Sequence, residues 1–103
     1  MTASQIERRT TYQVLPLQLF GACLTALGQM RAQIERQDVG RGTIVAAVGA
    51  GLLAPVSELA LALTPIGERQ TLLVTTWRAR KRGGDRLVLP AFLDAVEALV
   101  ALA

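Results

Sequence analysis

Residues 57–82 read SELALALTPIGERQTLLVTTWRARKR, and the alternation within that stretch decides the fold. Leu59, Leu61 and Leu63 alternate with Glu58, Ala60, Ala62 and Thr64, the period-two pattern of a strand with one buried face. Thr71 to Trp77 is built from β-branched, leucine and aromatic residues that fit a pleated surface. Between them, Pro65 suits the second position of a type I turn and Gly67 its fourth. The stretch therefore predicts a two-stranded hairpin whose second strand runs into closely spaced basic side chains.

Upstream of the hairpin, Thr43 to Val48 (TIVAAV) predicts a strand, although Ile44, Val48 and Leu52 also fall at helical spacing. Its β-branched content and the neighbouring Gly49 and Gly51 favour the strand. Ala50 to Val56 reads as a glycine- and proline-marked connection, and Asp38-Val39-Gly40-Arg41-Gly42 as a turn. Met30, Ala32 and Ile34 alternate with Arg31, Gln33 and Glu35, a half-buried strand. Before it, Leu17, Phe20, Leu24 and Leu27 form one helical stripe, with Pro16 at the first position and Gly28 at the stop. Thr10 to Leu15 is a short strand with Tyr12 and Val14 on one face, and the nine residues ahead of it are polar and expected to fray. Downstream, Gly83-Gly84-Asp85 is a loop, and Pro90 opens a helix with Phe92, Leu93, Val96, Leu99 and Val100 on its apolar side.

The predicted order is β-α-β-β-β-β-α: an α+β domain over residues 10–103 with an antiparallel five-stranded sheet and two helices on one face. That order resembles the TATA-binding-protein-like arrangement and the small relatives of helix-grip ligand-binding domains. The resemblance is one of topology and implies a fold without implying a function.

A chain of 103 residues, 51% of them apolar and 18% charged, can bury one core without staples. Its charge of +3 comes from ten arginines and one lysine against eight acids, a modest excess for an anion binder. Histidine is absent, which excludes a Ser-His-Asp triad, a Cys-His pair and histidine metal ligation. The single cysteine, Cys23, suits a reducing compartment, so a cytoplasmic location is expected. Residues 8–23 loosely imitate a lipoprotein leader, but Gln13, Pro16 and Gln18 interrupt the apolar run and an amphipathic helix uses those residues better. Gly42 to Gly67 is broken by Pro55, Ser57, Glu58 and Pro65, so no transmembrane segment is expected.

Two groups of residues invite a functional reading. Arg78, Arg80, Lys81 and Arg82, with Arg86 beyond the glycine loop, could track the phosphates of a nucleic acid or an anionic surface, with Trp77 able to stack on a base. The same residues also read as a solvated strand end that discourages edge-to-edge pairing. Leu72 and Val74 alternate with the residues that would pack under the helices, so they are expected part-exposed on the other face, as a possible oligomer contact with Trp77 beside them. Trp77 itself has a default role in core packing. Cys23 sits mid-helix without a neighbouring base and reads as a buried thiol. The acids are scattered, and no glycine pattern forms a phosphate fingerprint. The expectation is thus a non-catalytic domain without cofactor or metal, acting through a surface and self-associating. Nucleic-acid or anionic-surface binding is one alternative, and carriage of a small apolar ligand is the other.

Overall fold

In the computed structural model, which describes residues 5–49, 55–80 and 85–102, the chain follows the order β1 (Gln5–Tyr12), α1 (Pro16–Gln29), β2 (Gln33–Asp38), β3 (Thr43–Gly49), β4 (Pro55–Gly67), β5 (Gln70–Ala79) and α2 (Val88–Ala101). The five strands form one antiparallel sheet in the order β1-β5-β4-β3-β2. The α+β architecture is the one the alternation predicts. Both helices pack against each other and against the β4–β5 side of one sheet face, because each carries an apolar side that only that face can cover.

Between the layers, Leu19, Leu27, Leu59, Leu73, Phe92 and Val96 are almost wholly shielded from solvent. Each such burial stabilises the fold by about 1.5–3 kcal/mol. The Thr71 hydroxyl, also buried, donates to the Val14 carbonyl at 2.8 Å and ties β5 to the chain leaving β1.

Several local readings change. Strand β1 starts at Gln5 rather than Thr10, and Gln5–Tyr12 pairs with Arg78–Thr71 along its whole length. Its outer residues bury little, so backbone pairing to β5 orders them where side-chain hydrophobicity gave no signal. On α1 the buried residues are Leu19, Phe20, Cys23, Ala26 and Leu27, while Leu17 is 71% exposed. The helix is rotated from its expected stripe because it packs on both α2 and the sheet. Its stop is not Gly28: Arg31 takes the left-handed conformation at φ 57°. The Arg31 and Ala32 amides then bond the Gly28 and Leu27 carbonyls at 3.0 and 2.9 Å, a Schellman closure. Strand β2 accordingly begins at Gln33, with a bulge between Ile34 and Arg36.

The hairpin turns at Glu68 and Arg69, beyond the expected position. Pro65 lies within β4 opposite Thr71, and a bulge at Ile66 accommodates it. Gly42, at φ 68°, is required by a close approach: a Cβ there would stand 2.6 Å from the Leu63 carbonyl oxygen. Helix α2 begins at Val88, two residues ahead of Pro90, because Asp85 accepts from the Leu87 amide through its carboxylate (2.9 Å) and from the Val88 amide through its carbonyl (3.1 Å). Among the described residues no helix is long and apolar enough to cross a membrane.

Candidate functional site: the helix-free sheet face

Strand alternation sends every second residue to the sheet face that the helices leave open. The register aligns these residues into rows across all five strands. One row runs Arg9, Val74, Ala62, Thr43, Asp38, and the next runs Glu7, Thr76, Ala60, Val45, Arg36. In both, the three central positions are half-buried and uncharged, while the end positions are exposed and charged. Leu72 extends the apolar centre by one more half-buried position. The expected exposure of Leu72 and Val74 is therefore what the structure has. Trp77 is not with them. It faces the helices at 5% exposure, packed in the core, which removes it from any contact on the open face.

The end of this face nearest Arg80 is closed by charge. Arg80 donates through Nη1 to Glu35 Oε2 at 2.9 Å and through Nη2 to Glu58 Oε1 at 2.7 Å, and Nη2 also meets Glu35 Oε1. Arg78, directly across from Glu58 in the register, donates to the same carboxylate at 3.2 Å. Glu35 is the extra residue of the β2 bulge, so Arg80 and Glu35 reach each other over β4 and β3. Ala47, held between Gln33 and Glu58 in that register, is only 1% exposed although it lies on the open face. The guanidinium of Arg80 holds the carboxyls of Glu35 and Glu58 below the usual carboxylate range, and both carboxylates push the arginine further up.

The expected basic row is interleaved with acids. Arg78 and Arg80 are ion-paired with Glu58 and Glu35, and the Arg78 side chain remains 53% exposed. Lys81 and Arg82 fall outside the described residues. Arg86 is elsewhere: it joins Ile6, Arg8, Leu87, Leu89 and Leu93 around a pocket of about 180 Å³ between β1 and the start of α2. Ile6 and Arg8 pair with Trp77 and Thr75, so this pocket is on the helix side, across the sheet from Arg78 and Arg80. A second concavity, an open groove of about 490 Å³, follows the β2–β3 hairpin along Arg36, Asp38, Arg41, Thr43 and Val45.

Cys23 is fully buried in α1, and burial pushes its thiol up to about 12, which leaves it a packing residue at neutral pH. Among the described residues no three His, Cys, Asp or Glu side chains gather as a metal site would require. Sequence reasoning missed Glu35, Glu58, Arg8, Arg36 and Asp38 as site residues. The signal for Glu58 was present in its pairing with Arg78, and depended on placing the hairpin turn correctly.

No family model matches the chain and no curated protein resembles it in sequence. Its fold is similar to the crystal structure of Ara h 8.0201, at a TM-score of 0.65 and 12% identity over 96% of this chain and 98% of that one. It is also similar to TTHA0849 from Thermus thermophilus (TM-score 0.60, 14% identity, 95% and 97% covered) and to a conserved protein from Geobacillus kaustophilus (0.53, 12%, 94% and 95%). At such identities the likeness is one of fold, a five-stranded antiparallel sheet with two helices on one side.

Proposed function

We propose that this is a non-catalytic domain that acts by association through its helix-free sheet face, and that the first occupant of that face is a second copy of the chain. The observation that carries the reading is the uncovered centre formed by Val45, Ala60, Ala62, Leu72 and Val74, half-buried and fringed by charge. Apolar centres with polar rims are the usual anatomy of protein interfaces. Five strands spaced ~4.8 Å apart, each running ~20–25 Å, offer roughly 500–600 Å² per copy. That total sits at the lower limit for a stable interface, so association in the micromolar range is expected. The absence of histidine and the buried Cys23 thiol support the non-catalytic part of the reading. The pairing of Arg78 and Arg80 with acids counts against nucleic acid as the partner. Light scattering on a size-exclusion column tests the proposal with Val74→Asp, a half-buried position whose charge stays on the open face. The wild type should elute as a dimer at tens of micromolar and the variant as a folded monomer; equal masses would refute it.

A second reading has its own observation. Arg8 and Arg86 make no ion pair among the described residues and flank the apolar pocket at the start of α2. A small carboxylate with a short apolar body, filling about six water volumes, fits that chemistry. Titration with hexanoate and hexan-1-ol separates the cases: hexanoate should bind more tightly, and Arg86→Gln should abolish the preference. Equal affinities would end this reading.

A further inference from the structure

The two charged rows of the open face have opposite polarity. Reading from β1 to β2, one begins with Arg9 and ends with Asp38, and the other begins with Glu7 and ends with Arg36. β4, with Ala60 and Ala62 in these rows, is the middle strand of five. A surface that carries plus and minus at opposite ends of one row, and minus and plus in the next, is complementary to itself under a two-fold rotation about an axis in the plane of the sheet.

We infer that two copies meet face to face about a two-fold axis parallel to β4, so that Arg9 of each faces Asp38 of its partner and Glu7 faces Arg36. The inference rests on the association proposed above and specifies its geometry. Rotation about that axis keeps each row at its own height along the strands and exchanges the β1 edge with the β2 edge. The alternative two-fold, perpendicular to the strands and passing between the rows, would pair Arg9 with Glu7 and Asp38 with Arg36 across the axis, but it would set the apolar Leu72 row against the charged Arg78–Glu58 row. Rows lie ~7 Å apart along the strands, and stacked sheets ~10 Å apart, a gap that small alanines at the centre narrow and long Arg and Glu side chains at the edges bridge.

A second observation agrees. The open groove of about 490 Å³ follows Arg36, Asp38 and Arg41 at the β2–β3 hairpin, which is where the rotation delivers the partner's β1 edge with its Glu7 and Arg9. The ion pairs within one chain at these positions are exposed ones. Arg9 Nε is 3.1 Å from Glu7 Oε2, and Arg41 Nε is 3.8 Å from Asp38 Oδ2. Exposed pairs of this kind are held weakly, so they can be exchanged for contacts across the interface. The contact is isologous and closes at two copies, leaving no open end for a fibre.

The test is a charge-swap pair, Glu7→Arg and Arg36→Glu, measured by sedimentation alone and mixed. In the first variant Arg faces Arg36 across the axis; in the second, Glu7 faces Glu. Each alone should self-associate about tenfold more weakly than the wild type, since like charges brought together at an interface are costly. Mixed in equal amounts, they should form a heterodimer of near wild-type affinity, because every contact is then between opposite charges. A wild-type dimer whose variants both dimerise normally, or whose mixture stays monomeric, would overturn this geometry while leaving association through the face intact. A wild type that remains monomeric at high micromolar concentration would overturn both.

Discussion

Arg80, just past the end of β5, grips Glu35 on the far edge strand with both guanidinium nitrogens and still holds Glu58 at 2.7 Å on the way. One side chain thereby spans the open sheet face and shuts one end of it, so that the apolar rows beyond are bounded on three sides by charge. The network joins β5 to β4 and β2, and it sets Glu35 and Glu58 against the arginines that suggested a phosphate-binding strip.

Its pH dependence has a definite sign. The carboxyls of Glu35 and Glu58 are held down chiefly by hydrogen bonds from Arg80, so their folded values lie below the ~4.3 of a free glutamate. A group with a lowered folded pKa adds stability that is present above its unfolded value and lost as pH falls through its folded one. Arg80→Ala should therefore lower Tm by a few degrees at neutral pH, and the gap from wild type should close toward pH ~3. A gap that stayed constant across that range would show that the ion pairs contribute nothing.

Truncating the inner layer should be far more damaging than truncating the open face. Phe92→Ala removes a fully buried ring between α2 and the sheet and should cost about 3–5 kcal/mol in denaturant unfolding. Leu72→Ala, at a half-buried position of the open face, should cost about 1 kcal/mol or less in the monomer. Equal losses would mean that the open face is already covered within the single chain.

The left-handed Arg31 should be improvable. A residue with a Cβ pays about 1–2 kcal/mol in that conformation, and glycine does not. Arg31→Gly should stabilise the protein by roughly 0.5–1 kcal/mol after the greater chain entropy of glycine in the unfolded state is counted. A destabilised variant would show that the Arg31 side chain makes a compensating contact.

Cys23 should resist thiol reagents in the folded protein. Its thiol is buried and pushed up to about 12, so thiolate is scarce near neutrality. An aromatic disulfide reagent should label it only at the rate of unfolding, and immediately in denaturant. Rapid labelling under native conditions would contradict the packing of α1.

The sheet was legible in the sequence because Leu59, Leu61 and Leu63 face one way and must be buried together, which fixes β4 and, through it, its neighbours. The strand at Gln5–Arg9 was not, because its residues alternate weakly and are held by backbone pairing to β5. The acid–base network was hidden by a few residues of turn chemistry. A turn over Thr64–Gly67 would set Glu58 opposite Leu73, whereas the observed turn at Glu68 and Arg69 sets it opposite Arg78. The reach of Arg80 to Glu35 depends on a bulge in β2, which no local pattern announces. The open face was legible only as the exposure of Leu72 and Val74; its charged ends needed the register of all five strands.

Association through that face is the central claim, and sedimentation velocity over a concentration series tests it most directly. The account expects the weight-average mass to rise from that of one chain toward that of two between low and high micromolar protein, with Val74→Asp abolishing the rise. A single-chain mass at every concentration, or a rise that Val74→Asp leaves unchanged, would contradict it.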